Sequence, residues 1–291
     1  MAGTHEWYFL SDMHVGSQLF DEKNFDKAIK DIETNPKARV ILGGDLIEAI
    51  VIDDPRFQMS QLDPKNATPL KQCLFVKDKL EPIKEKIEII LDGNHEWKLL
   101  RRFGNILRDN LISHLYPASS SEKREEIARE KYGTYTTKLT VVNKSSSDIM
   151  YKLFYTHGYK TFNSSNRDPI RREAAMKGRL KDSLMHKFGD TDIMVMGHAH
   201  KLITVDPQHE LYLTDEDNKI KSNYTKAEVT SGYINPDMRW YGCTGSFLKL
   251  YGEECEDSGY AERAGYDPTQ LGYLKCYVDR GRIVGMEKVE F

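Results

Sequence analysis

The chain has 291 residues, of which 39% are hydrophobic and 30% are charged, and its formal net charge at pH 7 is −3. This balance is typical of a folded globular protein, and it excludes a disordered chain and a surface coated with positive charge for non-specific nucleic-acid binding. No apolar run approaches the ~18 residues of a membrane-spanning helix, and the first residues lack a signal-peptide pattern. The sequence therefore predicts a cytoplasmic protein that does not enter a membrane.

Strands and helices alternate along the first third of the chain. Residues 7–10 form an aromatic and aliphatic run that predicts a buried strand, and residues 21–34 have the apolar spacing of an amphipathic helix. Residues 38–42 and 87–91 predict two further strands, and a helical stretch at about 69–85 lies between them. This alternation predicts βαβ units around a parallel sheet.

The rest of the chain is predicted to contain further helices and to end rich in strands. The helices cover residues 97–115, 119–131 and 169–187. Hairpins are predicted over residues 135–156 and around the turn at 279–281.

The sequence predicts one domain. No internal repeat and no linker divides residues 1–291, and the charged helical stretches at about 97–131 and 160–188 are interpreted as insertions. The cysteines show no C-x-x-C spacing, so they are predicted to be reduced structural thiols rather than zinc ligands or disulfide partners. They are Cys73, Cys243, Cys255 and Cys276.

Five separate segments deliver Asp, Asn or His immediately after a predicted strand. In chain order they are Asp12-x-His14, Gly44-Asp45, Gly93-Asn94-His95-Glu96, His157-Gly158 and Gly197-His198-x-His200. Taken singly, each is compatible with an ordinary turn or a structural histidine. Because the carboxyl ends of parallel strands line the cleft of such a sheet, the five segments together indicate one shared site.

This ordered set of motifs resembles that of the calcineurin-like metallophosphoesterase superfamily over about residues 8–201. The resemblance implies an α/β protein with a four-layer αββα sandwich, and a phosphoesterase with two metal ions. It also implies a role for each motif residue. Asp12, His14 and His200 would hold the first ion, Asn94, His157 and His198 the second, Asp45 would bridge both, and His95 would not be a ligand.

A mixture of imidazole, carboxylate and amide ligands suits borderline divalent ions better than Mg²⁺ or Ca²⁺, which prefer oxygen ligands alone. The absence of thiolate ligands argues against a structural zinc site. Mn²⁺ is favoured, with Fe²⁺, Zn²⁺ and Ni²⁺ as alternatives. Two ions about 3.5–4 Å apart can share a bridging water and lower its pKa, so that the bridging hydroxide becomes the nucleophile. His95 would protonate the leaving group or stabilise charge on the phosphoryl oxygens. Glu48 and Glu96 could orient ligands, with solvated or capping roles as the alternative.

The sequence says less about the substrate. Residues 46–50 lack the Asp-Arg-Gly block of protein Ser/Thr phosphatases, and the loop at 11–17 is similar to that of the nuclease-type branch. Basic stretches follow Asn94-His95 and His157, and their arginines are predicted to bind substrate phosphates, with a solvated, salt-bridged helix face as the alternative. They are Arg101, Arg102, Arg167 and Arg171.

Phosphodiester cleavage is favoured, with DNA or RNA as candidate substrates. One alternative is a phosphomonoesterase or nucleotide phosphatase. Another is a non-catalytic scaffold subunit, which the complete set of predicted ligands disfavours. Residues 163–167 and 242–246 are predicted to be loops at the cleft, and the sequence makes no prediction of the oligomeric state.

Overall fold

The computed structural model of the protein describes residues 3–225, 232–252 and 260–291. The strands are β1 (His5–Leu10), β2 (Ala38–Leu42), β3 (Ile87–Ile90), β4 (Thr136–Val142), β5 (Ile149–Thr156), β6 (Ile193–Met196), β7 (Ile203–Val205), β8 (Leu211–Glu216), β9 (Lys219–Tyr224), β10 (Trp240–Cys243), β11 (Gly272–Asp279) and β12 (Arg282–Glu290). The α-helices are α1 (Glu22–Thr34), α2 (Pro69–Leu80), α3 (Asn94–Phe103), α4 (Ser113–Leu115), α5 (Ser121–Lys131), α6 (Pro169–Leu184) and α7 (Tyr260–Arg263).

Most of the strands belong to two sheets of the same design. The first sheet has the order β12-β11-β1-β2-β3 and the second has the order β4-β5-β6-β10-β7. In each sheet three adjacent strands, β1-β2-β3 or β5-β6-β10, are parallel to one another, and the remaining strands pair antiparallel. The hairpin β8-β9 pairs separately from both sheets.

The two sheets pack face to face, because every second residue of their buried strands points to the other sheet. Trp7 and Phe9 of β1 share a core with Ile193 and Val195 of β6, and the Phe9 ring meets Tyr155 edge-on at 5.8 Å. The intervening residues of each strand point outward, towards helices. Strands buried on both faces explain why their sequences are continuous apolar runs rather than alternating ones.

Helices cover the outer face of each sheet. Phe25, Ala28 and other apolar residues of α1 pack with α2 on the first sheet, and Leu180 and Leu184 of α6 pack on the second. Each leucine or phenylalanine side chain buried in this way contributes about 1.5–3 kcal/mol. The layers are therefore helix, sheet, sheet and helix, which confirms the predicted α/β class and αββα architecture.

Several predicted elements differ from the observed ones. The predicted helix at 97–115 begins earlier, at Asn94, and is interrupted at Gly104, where φ is 70°; a π-helical turn at Leu107–Ile112 follows before α4. The hairpin β8-β9 was not predicted. None of the helices that the structure describes has the length and apolar character needed to span a bilayer.

Three of the four cysteines are described, and all three are buried free thiols, as predicted: Cys73, Cys243 and Cys276. Cys255 lies outside the described residues. The prediction that residues 97–131 and 160–188 are insertions in a single domain of 1–291 stays a prediction.

Candidate metal centre

The five sequence motifs meet in one cleft at the carboxyl ends of β1, β2, β3, β5 and β6. The loops after these strands converge because the strands are parallel within each sheet and the two sheets face each other. The cleft has a volume of about 560 Å³. Its walls include motif residues together with Arg56, Thr161, Asn163 and the segment 265–269.

One group of potential ligands comprises Asp12, His14 and His200, whose nitrogen and oxygen atoms lie within 4.8 Å of one another. His200 Nε2 is 3.1 Å from Asp12 Oδ1. His14 Nε2 is buried and makes no hydrogen bond to the described residues, although an unsatisfied buried nitrogen is costly. An imidazole nitrogen in that state suits a metal ligand, and these three residues are the predicted ligands of the first ion.

The second group comprises Asp45, His157 and His198. Asn94 Oδ1 lies 3.2 Å from His157 Nε2, so Asn94 reaches the same point. His157 Nδ1 donates to the Gly43 carbonyl at 2.8 Å, which leaves Nε2 directed at Asn94 and Asp45 with its lone pair available. The structure thus brings together the residues predicted for the second ion.

Asp45 lies between the two groups. Its Oδ2 atom is 3.8 Å from His14 Nε2 and 3.3 Å from His157 Nε2, so one carboxylate faces both sets of ligands. Burial opposes ionisation of Asp45, yet the imidazoles of His157, His95 and His14 hold its pKa well below the usual range. Burial lowers the pKa of His157, but Asp45, Asp12 and the Gly43 carbonyl together raise that pKa to about 10. The carboxylates therefore create a negative potential that favours cations.

The ligand residues have unusual backbone conformations. Those with φ between 49° and 67° are Asp12, His14, Asp45, His198 and His200. A non-glycine residue in this region costs about 1–3 kcal/mol, so the packing of the loops must hold these conformations. Position 197, just before His198, is occupied by glycine because the Cβ atom of any other residue would lie 2.7 Å from Ser11 Oγ and 3.0 Å from Asp12 Oδ2.

Buried hydroxyl groups hold Asp12. Ser11 Oγ donates to Asp12 Oδ2 and lies 2.5 Å from Thr244 Oγ1, while Ser246 Oγ donates to the Asp12 carbonyl at 2.8 Å. The prediction of a loop over the cleft at 242–246 is therefore wrong. Gly242 and Cys243 belong to β10, and the residues after it are buried beneath the metal ligands because they pair with the β1 loop.

Two buried glutamates, Glu48 and Glu96, form hydrogen bonds with the residues that carry the predicted ligands. Glu48 Oε2 accepts a hydrogen bond from His14 Nδ1 at 2.8 Å, which fixes Nε2 as the nitrogen that faces Asp12. Glu48, His14 and His95 also form a cluster of potential ligand atoms. Since His14 Nδ1 and Glu48 already satisfy each other, this cluster acts as an outer layer of the site.

Glu96 accepts hydrogen bonds from four backbone N–H groups. Its Oε2 accepts from Gly93 at 2.8 Å and Asp45 at 3.0 Å, and its Oε1 accepts from Leu46 at 2.7 Å and Ile47 at 3.1 Å. Burial, with the nearby carboxylates, raises the pKa of Glu96 to about 8, and the N–H donors oppose that rise. A protonated carboxyl would point its O–H at an N–H donor, so the geometry favours the ionised form.

His95 is close to the ligands but belongs to neither of the two predicted ligand groups. Its backbone N–H donates to Asp45 Oδ1 at 2.9 Å, and its ring Nδ1 lies against the Glu48 carbonyl. The ring Nε2 is 3.1 Å from Arg56 Nη1. The nitrogen that faces the cleft is therefore Nε2.

Arg56 is a cleft residue that sequence reasoning missed. It lies in the irregular segment between β2 and α2, where no periodicity and no motif marks it. Its ion pair with Asp54, two residues away, is a local signal, but Asp-x-Arg pairs are common in loops. Only the folded chain shows that this loop turns back over His95.

The arginines predicted to bind substrate lie outside the cleft wall. All four are exposed: Arg101, Arg102, Arg167 and Arg171. Arg102 forms an exposed ion pair with Asp53. Their predicted contact with a substrate stays a prediction, and it would require a substrate that extends beyond the cleft.

The chain was compared with known proteins. A family model described as calcineurin-like phosphoesterase matches residues 8–226. Among solved structures, the chain is similar to Vps29 from Chaetomium thermophilum (9% identity, 99% of this chain and 98% of that chain covered, TM-score 0.35). It is also similar to the calcineurin-like phosphoesterase YfkN from Bacillus subtilis (12%, 100% and 91%, 0.37) and to a phosphatase of Mycoplasma pneumoniae (12%, 100% and 94%, 0.38). A comparison with curated protein sequences found no match.

Proposed function

Because this chain belongs to the calcineurin-like phosphoesterase family, we propose that it hydrolyses phosphodiester bonds with two divalent metal ions. One observation carries the proposal. Two groups of ligand side chains, each of the type that holds a borderline divalent ion, face the same Asp45 carboxylate at the bottom of one cleft. A shared carboxylate is what a two-metal hydrolase needs.

The donor set fits the ions. Asp12, His14 and His200 with Asp45 would hold one ion, and Asn94, His157 and His198 with Asp45 would hold the other. Mn²⁺ is the proposed metal, with Fe²⁺, Zn²⁺ and Ni²⁺ as alternatives, because the ligands mix imidazole and oxygen donors. When bound, the ions would act as Lewis acids on the phosphoryl oxygens and lower the pKa of the attacking water.

The side chains around the ligands would hold the ligands and His95 in the orientation that the reaction needs. Glu48 fixes the His14 ring, and Glu96 fixes the backbone of Asp45. His95 Nδ1 donates to the Glu48 carbonyl, and its Nε2 accepts from Arg56 Nη1 at 3.1 Å, so Nε2 would first have to take up a proton, with that contact broken, before it could give one to the leaving oxygen. Its N–H contact with Asp45 keeps the ring beside the bridging carboxylate.

A diester is the proposed substrate because the cleft offers more room than a phosphoryl group needs. The walls include Arg56, Thr161, Asn163 and residues 265–269, around a volume of about 560 Å³. Substituents on both sides of the phosphorus would occupy that space. DNA and RNA are the proposed candidates, and the proposed compartment is the cytoplasm.

The experiment that tests this function compares bis(p-nitrophenyl) phosphate with p-nitrophenyl phosphate in the presence of Mn²⁺, followed by single-stranded DNA, duplex DNA and RNA. We expect diester hydrolysis that a chelator abolishes and Mn²⁺ restores. A strong preference for the monoester would replace the proposal with a phosphomonoesterase or nucleotide phosphatase. Less than one equivalent of bound metal, with no turnover of any substrate, would indicate the non-catalytic scaffold.

A further inference from the structure

We propose that an unpaired nucleic-acid strand binds on the surface beside the predicted ligands of the second ion. In this assignment a base of the strand stacks on the Trp97 ring and a phosphate of the strand contacts Arg101. The inference rests on the proposed phosphoesterase function and names its substrate class as single-stranded nucleic acid. Neither residue is a predicted metal ligand.

The first observation is that one side of helix α3 leads away from the metal centre. The helix begins at Asn94, a predicted ligand, and Trp97 and Arg101 follow three and then four residues later, on the same side of the helix. At a rise of about 1.5 Å per residue, they lie about 4.5 Å and 10.5 Å along the helix axis from Asn94. Stacked nucleotides are about 3.4 Å apart along a strand, so this side of α3 is long enough for about three of them.

Both side chains are open to solvent. Trp97 is 54% exposed, whereas Leu99, on the other side of the helix, is buried. Arg101 is also exposed, and it makes no ion pair with any residue that the structure describes. Its neighbours differ in this respect, since Lys98 and Arg102 pair with carboxylates of residues 53–54. The Arg101 charge is therefore available to an anion from solution.

The second observation is that the loop after His157 presents the same kinds of side chain. Asn94 Oδ1 lies 3.2 Å from His157 Nε2, so this loop and α3 leave the metal centre from one point. Phe162 is buried in the core and anchors the loop. Tyr159 is 70% exposed, and Lys160 Nζ lies 5.7 Å from the centre of its ring. An aromatic ring and a basic group are thus exposed on both segments.

The charge of the two segments favours a polyanion. Residues 97–103 contain three Lys or Arg and no acidic residue, and residues 159–172 contain four Lys or Arg and one Asp. This basic surface belongs to a chain with a formal net charge of −3. A small diester would fit inside the cleft and would not reach these residues, whereas a polymer with a phosphate at every unit would contact both.

The exposed tryptophan favours an unpaired strand over a duplex. Bases of a single strand can leave the stack of their neighbours and place a face on an aromatic ring, and this contact tolerates any base. In a duplex, the base faces are covered by the adjacent base pairs. The combination of aromatic and basic side chains is accordingly typical of single-strand binding.

The test measures binding of a labelled oligothymidylate of about 12 nucleotides to the Mn²⁺-loaded protein by fluorescence anisotropy. Phosphorothioate linkages slow its cleavage during the measurement, and a strand with the same linkages but without bases is the comparison. For Trp97→Ala we expect binding of oligothymidylate to be weaker by about 5- to 100-fold and binding of the abasic strand to be unchanged. Trp97→Phe keeps an aromatic ring and should recover most of the affinity.

Tryptophan emission gives a second readout. The chain has three tryptophans, of which Trp7 is buried and Trp240 is half-buried in β10. Oligothymidylate should quench the emission of the wild type and leave that of Trp97→Phe unchanged, although this variant still binds. Quenching that persists in Trp97→Phe would place the base elsewhere and overturn the assignment.

The phosphate contact is tested through the salt dependence of binding. Arg101→Ala should weaken binding of oligothymidylate and of the abasic strand equally, because both carry the phosphates. The slope of log affinity against log salt concentration should fall by about 0.7. A slope equal to that of the wild type would overturn the Arg101 contact.

Two variants are matched controls, and neither should change binding of either strand. Arg39→Ala removes an arginine that pairs with Glu88 at 2.8 Å, at the amino end of β2, opposite the cleft. Tyr212→Ala removes an exposed aromatic ring from β8. That strand follows the end of β7 that pairs with Tyr241, at the end of β10 away from the cleft.

The outcomes separate this inference from the proposed function. If the wild type hydrolyses a diester but Trp97→Ala binds oligothymidylate as tightly as the wild type does, the inference is overturned while the phosphoesterase stands. If the wild type hydrolyses no phosphoester but binds the strand through Trp97, the inference stands and the proposed function fails. Tighter binding of a duplex of the same length would also overturn the inference, as would loss of bound Mn²⁺ from both Trp97 variants.

Discussion

Replacing Glu96 with glutamine should strongly destabilise the protein, although the two side chains have the same shape. The Glu96 carboxylate accepts N–H groups from Gly93 and Asp45 on one oxygen and from Leu46 and Ile47 on the other. A glutamine has one acceptor oxygen, and its NH₂ group would face two N–H donors. Whichever way the amide turns, two of the four backbone donors lose their acceptor.

The size of the effect follows from these two lost bonds. A hydrogen bond to a charged group contributes about 1.5–3 kcal/mol, so the two lost bonds would cost about 3–6 kcal/mol, and removal of the buried charge, whose pKa burial raises to about 8, offsets part of that cost. Since a domain is typically stable by about 5–15 kcal/mol, this loss would remove much of the free energy of unfolding. The broken contacts include the backbone N–H of Asp45, so metal affinity should fall as well.

The assay is urea unfolding of chelator-treated protein at pH 9, where Glu96 is ionised even with its pKa raised to about 8. Removing the metal first separates the backbone contacts from metal binding. Glu81→Gln is the control, because Glu81 pairs with Lys77 and Lys84 at partly exposed positions, and its midpoint should move little. A loss below about 1 kcal/mol for Glu96→Gln would refute the reasoning, because each charge-assisted bond should be worth more than that.

Four further predictions follow from the site and its surroundings. Asp45→Asn should abolish turnover and reduce bound Mn²⁺ below two per chain, measured by elemental analysis. His95→Ala should retain the metal but lose about 10²–10⁴-fold in kcat, and loss of metal would show that His95 is a ligand. Gly197→Ala should lower the melting temperature and Mn²⁺ affinity, because its Cβ would collide with a buried hydroxyl at 2.7 Å. Asp190 has its pKa lowered to about 2 by hydrogen bonds from Lys152 and a second lysine, so Asp190→Asn should destabilise the protein at pH 7. That difference should shrink as the pH falls from about 4 to 2, and a difference that persists at pH 2 in thermal unfolding would contradict the pairing.

Most of the fold could be predicted from the sequence, because the central strands β1, β2, β3 and β6 are buried on both faces. Apolar runs such as residues 7–10 and 193–196 can be recognised without knowing their partners. The order of the strands could not be predicted, because β1 pairs with β11, a strand from the opposite end of the sequence. The hairpin β8-β9 was missed because its side chains are largely exposed and carry no apolar alternation.

The candidate site was easier to predict where its residues follow strands in short motifs. Asp12, Asp45 and His157 could be located because each comes directly after a buried strand. Arg56 could not, because a loop without periodicity brings it back to His95. Thr244 was placed in a covering loop, and the structure buries it beneath Asp12 instead, because only the folded chain shows that β10 joins the second sheet.

The central claim is that two ions share Asp45, and a crystal structure of the Mn²⁺-soaked protein with anomalous scattering data tests it most directly. We expect two anomalous peaks about 3.5–4 Å apart, one beside Asp12, His14 and His200 and the other beside Asn94, His157 and His198, with Asp45 bound to both. A single peak, or a peak held by Glu48 and His95 in place of these ligands, would contradict the account.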